Sequence, residues 1–437
     1  MDRTPLALEY QFPVFLPREI RAVCNPSRPL LPEDEPLHEN LSAVQGGARF
    51  EKIENRIRMA DHSQFVRELV TGHAGSGKST ELLRLAARLR QPKATQEFHV
   101  VYLDAFEYLS QWGVRLPHIL IALLAGLARQ ERVDLKETRS ARTLVARLKA
   151  LVGGISSEIA KQFDSLAHIP VLTTLLRTNQ EFSSKFRDQA VTQIQDLLRL
   201  LSDLVAEVSK DLNVEIVFIV DNLEKVPEQS MEGAASLHEA LFVRDLPLLD
   251  IPAHLVITYP ISLNYSNAEL LRAFPNASKT TLPMVGVRRP PGAQERGDDP
   301  DGIAALRSLL LRRVAPEVFA DDAAIEHLIR SSGGCVRDLM RFTGELPIVA
   351  APPFTRDHVD QAIQDFRNDY ERVLQGKPYV RHLREIEQTG QISDEIAPEW
   401  KREILLGLVV LEYDTDTWFD VHPLAKRTRA FMAARNG

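Results

Sequence analysis

RELVTGHAGSGKST, residues Arg67 to Thr80, decides the fold class of this chain. Gly72, Gly77, Lys78 and Ser79 fall at the spacing GxxxxGK(S/T). In such a loop the glycines let backbone N–H groups wrap a phosphate, the lysine neutralises the outer phosphates, and the hydroxyl offers an oxygen to Mg²⁺. Phe65 to Val70 reads as the preceding strand, and Leu82, Leu83, Leu85, Ala86 and Leu89 give the following segment a helical apolar face. A helix opening near Gly77 points its positive end at the same phosphates. A chance glycine turn would not bring strand, loop, lysine, hydroxyl and helix together in this order. The expected ligands are ATP or ADP with Mg²⁺, contacted by Gly72, Gly75, Ser76, Gly77, Lys78, Ser79 and Thr80.

The whole chain sets bounds on the rest. Its 437 residues exceed one ordinary core, and 44% apolar residues are enough to fill two or three domains. No run approaches the about 20 apolar residues that span a bilayer. The start MDRTPLALEY lacks the basic, apolar and cleavage regions of a secretory leader. Cys24 and Cys335 alone make neither a disulfide framework nor a zinc site, which fits a reducing cytoplasm. With 53 Lys and Arg against 60 Asp and Glu, the net charge of −7 argues against a broad grip on nucleic acid.

Along the chain, residues 1–45 are rich in proline and acid and read as an extended arm whose order depends on docking. Arg49 to Met59 makes a short charged helix. Phe98 to Leu103 is a second strand ending in Asp104, and PHILIALLAGLA, Pro117 to Ala128, is a helix too apolar for the surface. A helical insertion occupies about residues 131–213; its last segment carries an apolar stripe from Ile194 to Val208 that reads as core or partner packing. VEIVFIV, Val214 to Val220, runs into Asp221 and is apolar throughout, the mark of a central parallel strand. HLVITY, His254 to Tyr259, is another such strand, and Thr281 to Val287 the expected fifth. Strands alternating with helices give a parallel sheet covered on both sides. RPPGAQERGDDPDG, Arg289 to Gly302, is the strongest break in the chain. Beyond it, helices without strands predict a small helical domain. The tail then turns to helices and a hairpin, LVVLEY and TWFDVH, the pattern of a winged helix.

A site for Mg²⁺ and nucleotide also needs an acid at a strand tip for the metal and a second acid to orient the attacking water. Asp221 suits the first role and Glu224 the second, with Asp104 the next acid to consider. Asp221 also has the alternative reading of a helix cap. Asn222 stands where many ATPases place their catalytic glutamate, so slow hydrolysis is expected.

The order GHAGSGKST, IVFIVDNLEK, HLVIT and SGGCVRDL resembles the AAA+ ATPases, in the broad group shared by origin-recognition ATPases and STAND signalling ATPases, over roughly residues 45–345. The resemblance implies a P-loop NTPase parallel sheet sandwiched by helices, followed by an α-helical lid and a winged-helix C-terminal domain. The boundaries expected are an arm over 1–45, a core over 46–290, a lid over 303–375 and a winged-helix unit over 376–437. It further implies a γ-phosphate sensor at Thr258, with Asn264 the poorer candidate, and a lid arginine, Arg337, on the nucleotide. The spacing in DNLE and the segment WFDVHPLAKRTRAF are more like STAND proteins, where a histidine reaches the bound diphosphate; His422 is the matching position. An arginine finger falls to Arg244, or else to Arg312 or Arg313. The function implied is a cytoplasmic ATPase switch that controls self-association or a partner protein, in bacterial regulation or anti-phage defence. The alternative is a DNA-associated initiator or loader, which the acidic balance of the tail disfavours.

Overall fold

Runs of Val, Ile and Phe form the sheet that the alternating pattern predicts. The computed structural model describes residues 4–61, 64–93, 96–109, 113–129, 138–228, 236–266, 272–274, 276–293, 295, 297–413 and 417–434. Its five-stranded sheet is built from β1 (Arg67–Thr71), β2 (Phe98–Asp104), β3 (Glu215–Asp221), β4 (His254–Thr258) and β5 (Ala277–Thr281). The strand order is β2-β3-β4-β1-β5. The pairs β2/β3, β3/β4 and β4/β1 are parallel, with Asp104 opposite Asp221 and Val70 opposite Thr258. Their register therefore brings Asp104, Asp221 and Thr258 to the same C-terminal edge, the edge at which ligands bind in open α/β sheets.

By contacts the chain divides into two compact units, and each has its own core. The first, Phe50–Thr71 with Leu85–Thr280, holds the sheet. Ile216, Val217, Phe218 and Ile219 of β3 are completely buried, each contributing about 1.5–3 kcal/mol as an upper estimate. Helix Leu116–Ala128 is buried from Leu116 to Leu127, as its composition requires. Arg115, just before it, makes a two-pronged contact with Asp245. The helices Arg139–Ile155, Ile169–Thr178, Gln180–Val191 and Ile194–Leu212 follow, three of them capped by Thr138, Asn179 or a left-handed Asn213. The stripe on the last of them is core: Leu197, Leu201, Leu204, Val205 and Val208 are all buried.

The second unit comprises Met1–Arg49, Gly72–Arg84 and Thr281–Gly437. Its helices Pro300–Leu311, Asp322–Ser332 and Val336–Val349 share one core with the N-terminal residues. The expectation of an extended arm is therefore corrected. Residues 6–44 hold short helical turns, among them Pro17–Val23 and Pro32–Leu37, that bury Leu6, Ile20, Val23 and Leu37. Two of the prolines that suggested an extended chain, Pro17 and Pro32, sit at helix starts, where a fixed φ and a missing N–H cost nothing, and Pro36 lies within the turn that Pro32 opens. The buried Asp34 carboxylate ties the segment by accepting from the N–H groups of Ala7 and Leu31 at 2.9 and 3.0 Å.

The fifth strand is also displaced from its expected place, ending at Thr281 instead of starting there. Pro283 lacks the N–H a ladder needs, and the apolar residues beyond it pair elsewhere. Met284 N–H donates to Glu412 O at 2.9 Å, a bridge to the C-terminal hairpin. That hairpin consists of β6 (Val410–Tyr413) and β7 (Trp418–Val421), antiparallel, with Tyr413 stacked on Trp418. Of the connection DTDT between the two strands, residues 414–416 lie outside the described residues. Helices Val380–Thr389 and Pro398–Leu406 precede the hairpin.

Candidate nucleotide site

The phosphate loop belongs to the second unit. Gly75 and Gly77 have φ of +94° and +104°, a region that excludes most side chains. At Gly75 a Cβ would also come within 2.5 Å of the Arg337 Cβ and 2.7 Å of the Cys335 sulfur. Lys78 is buried and its Nζ donates to Gly72 O at 2.8 Å and His73 O at 3.0 Å, which holds the ammonium inside the loop. Helix Lys78–Arg90 begins there. The Ser76 backbone carbonyl accepts from Gln45 Nε2 at 3.0 Å, and Thr80 Oγ1 accepts from Leu30 N–H at 3.2 Å. The N-terminal segment thus braces the loop and the helix behind it, a role no local pattern announces.

The segment expected to form the lid lies directly on the loop. Arg337 N–H approaches Gly75 O at 3.4 Å, and the Cys335 thiol approaches Ala74 O at 3.7 Å. His422 is completely buried in the same unit. Its Nδ1 accepts from Leu424 N–H at 3.2 Å, its Nε2 lies 3.3 Å from an Asp338 oxygen, and its ring stacks on Tyr370. These contacts place it beside the residue that follows Arg337.

The histidine that touches the phosphate loop is part of it. His73 is 1% exposed and uses both ring nitrogens. Glu412 N–H of β6 donates to Nε2 at 2.8 Å, so the ring proton sits on Nδ1 and is donated to Leu405 O at 3.1 Å. Burial, with help from the Lys78 ammonium, pushes its pKa down to about 3. The motif admits any residue at this position, so its spacing carried no signal of the role.

A pH dependence follows. The unfolded chain protonates this imidazole near 6.5, the folded protein only near 3. The contribution is constant above that upper value and stability falls as pH drops below it, by up to about 1.4 kcal/mol per pH unit for one group. His118, pushed down to about 4 by burial, acts in the same direction. Urea unfolding at pH 7.5 and 5.0 should show lower stability at the acid value, with a shallower decline in His73→Gln. An equal decline in both proteins would remove His73 from the account.

In the sheet unit, Asp221 ends β3 completely buried. Its Oδ2 accepts from the Tyr102 hydroxyl and its Oδ1 from Asn222 N–H, both at 2.7 Å. Tyr102, on β2, is a residue that sequence reading missed, because register alone makes it a neighbour of β3. Thr258 Oγ1 accepts from Leu223 N–H at 3.0 Å and so braces the turn after Asp221. Glu224 is half-buried on that turn. Asn264 accepts from the Tyr259 hydroxyl. Asp104 accepts from Phe106 N–H as a helix cap.

Of the three arginines considered as fingers, Arg313 is interior, with Nη1 on Leu309 O and a pKa pushed down to about 10 by burial. A buried guanidinium does not reach a neighbouring molecule, so that candidate is corrected. Arg312 is paired with Glu39 at 2.6 Å, and Arg244 is exposed.

A model of the KAP family P-loop domain matches residues 56–243. The chain carries a P-loop NTPase domain. No curated protein matches it in sequence. Among solved structures, the P-loop NTPase chain is similar to the ORC2 protein of Aeropyrum pernix, in ADPNP and ADP complexes, at 14% identity and a TM-score of 0.44, over 92% of this chain and 96% of that one. A Walker-type ATPase of Pyrococcus abyssi aligns at 13% identity and a TM-score of 0.45, over 94% and 99%. Drosophila ORC bound to DNA aligns at 11% and 0.37, over 100% and 95%. No helix among the described residues of this P-loop NTPase is long and apolar enough to cross a membrane.

Proposed function

We propose that this P-loop NTPase is an ATP-driven switch in which the phosphate loop reports its occupancy to the C-terminal segments. One observation carries the reading: His73, inside the loop, is hydrogen-bonded through one nitrogen to the helix Pro398–Leu406 and through the other to β6. Movement of the loop around a phosphate therefore acts on backbone groups of the C-terminal region. In this reading Gly72, Gly75, Ser76 and Gly77 offer N–H groups to the phosphates, Lys78 turns its ammonium from loop carbonyls to phosphate oxygens, and Arg337 answers the nucleotide from the lid.

The donor set suits Mg²⁺. It needs few protein oxygens and keeps its water and phosphate ligands, and the Ser79 hydroxyl, in the first turn of the helix that follows the loop, is a hard donor of that kind, as in the sheet unit is the Asp221 carboxylate at the end of β3. Bound beside the loop, the ion would neutralise charge on the phosphates. Thr258 fits a bracing sensor through its bond to Leu223, and the output is self-association or contact with a partner protein, in the manner of STAND switches.

The helices and hairpin from residue 376 onward have the order of a winged helix. Their basic residues are largely occupied within the chain: Lys426 by Glu387 and Asp420, Arg427 by Asp360, and Arg384 by Glu387 and the Phe431 ring. That pairing favours protein contact over a DNA backbone, which takes unpaired cations.

Hydrogen exchange tests the switch. Saturating ADP and ATP analogue should each change protection at Met284 and over residues 405–422, and by different amounts. Binding of both nucleotides with unchanged protection there would sink the reading.

A further inference from the structure

A phosphate loop binds through its backbone N–H groups, so it keeps its shape only if its carbonyls are held on the outer side. A trans peptide points its C=O and the following N–H in opposite directions, and a bond that fixes one therefore aims the other. In this loop Lys78 Nζ holds the carbonyls of Gly72 and His73, and Glu81 N–H of the following helix donates to that of Gly77. The Ser76 carbonyl is held by a side chain 31 positions upstream. Gln45 Nε2 donates to Ser76 O at 3.0 Å and to Pro283 O at 2.8 Å, so one amide nitrogen commits both of its protons to backbone oxygens. Gln45 is 4% exposed, and its own backbone is anchored: its carbonyl accepts from Arg49 Nε at 3.0 Å and its N–H donates to Ser42 O at 3.3 Å. Gly77 N–H, turned away from Gln45, has no partner among the described residues.

We infer that Gln45 is a positioning residue for the nucleotide phosphates, an inference that rests on the nucleotide-switch reading and assigns the regulation of its site. The bond to Ser76 O sets the Ser76–Gly77 peptide with its N–H on the inner side of the loop. The Lys78 contacts do not replace it, because they are given up when the ammonium turns to phosphate oxygens. The second bond carries the state of the loop onward. Pro283 opens a connector in which Met284 N–H donates to Glu412 O of β6 at 2.9 Å, Val285 N–H donates to Gly334 O at 3.3 Å, and Val287 O accepts from Asp299 N–H at 3.0 Å, just before helix Pro300–Leu311. That path is tight: a Cβ on Gly334 would overlap Val285 O, and one on Gly302 would overlap Gly286 O, so the connector has no room to shift alone. Gln45 thus joins phosphate affinity to the position of the lid helices, a coupling that acts in both directions.

Methionine is the informative replacement, because it matches glutamine in length and cannot donate. Gln45→Met should raise the dissociation constants of ADP and ATP about tenfold. Gln45→Asn, an amide one methylene short of both carbonyls, should do the same. At saturating ADP, the nucleotide-induced change in hydrogen exchange at Met284 and Val285 should fall below about half its wild-type size in both variants. Calorimetry with Mg²⁺ reads the affinities, and denaturant unfolding without nucleotide checks that each variant folds cooperatively. A purely structural role predicts lower stability with affinities within about twofold of the wild type. That result, or weaker binding with a full-sized exchange change at the connector, overturns the inference. If Gln45→Met does not fold, Gln45→Asn decides by the same measures. A wild type that binds ADP with no change at Met284 or Val285 overturns the switch reading instead, and the affinities of the variants still decide the role of Gln45. A wild type that binds no nucleotide overturns the switch and this inference together.

Discussion

Lys78→Ala should lose the thermal stabilisation that ATP or ADP confers on the wild type. A ligand at about 100 times its dissociation constant stabilises the state that binds it by about 2.7 kcal/mol, and at about 1,000 times by about 4.1 kcal/mol. The ammonium supplies the charge contact to the outer phosphates, so its removal should push the affinity below the range in which such a shift appears. Lys78 also bonds to Gly72 O and His73 O, so the variant should melt somewhat lower even without ligand. The informative quantity is thus the nucleotide-induced shift of each protein, measured by calorimetry or dye melting with Mg²⁺. Asp221→Ala should differ in kind: the shift with nucleotide in EDTA persists, and the extra contributed by Mg²⁺ disappears. A full shift in Lys78→Ala, or none in the wild type, would contradict the assignment of the loop.

The second large effect is expected at His73. Replacing it with alanine removes a donor to Leu405 O and an acceptor for Glu412 N–H in a fully buried setting. Two backbone groups left unpaired at about 1–3 kcal/mol each should cost roughly 2–6 kcal/mol of stability, enough to show clearly in denaturant unfolding. The loss should be local in character: faster exchange of the Glu412 amide and faster release of a fluorescent ADP. His73→Gln, which offers both a donor and an acceptor, should recover part of each effect. Destabilisation under about 0.5 kcal/mol, the scale of an ordinary surface change, with unchanged nucleotide release would show that His73 only fills space.

Several parts of the fold were legible because their signals are local. VEIVFIV is apolar at every position, and only a strand covered on both faces uses such a run; it is β3, with Asp221 at its tip. PHILIALLAGLA has no polar face to give to water and is buried through Leu127. The Thr281 to Val287 reading failed for an equally definite reason: apolar character predicts burial, but it does not name the partner strand, and Met284 found Glu412. The proline-rich N-terminus misled because proline marks helix starts as well as extended chain.

The sequence by itself determined the phosphate loop, the strand and helix on either side of it, and the aspartate that closes a buried strand. Each is written within a few consecutive residues, where backbone conformation, side-chain period and charge act directly. Tertiary structure alone decided what those residues touch. Glu412 lies 339 positions from His73 in the chain, Thr258 lies 35 from Leu223, and Tyr102 lies 119 from Asp221. Whether Arg313 faces solvent or a core, and whether Gln45 meets the phosphate loop, depends in the same way on segments distant in sequence. Hydrogen bonds and burial are properties of neighbours in space, and one chain without its fold does not say which neighbours those are.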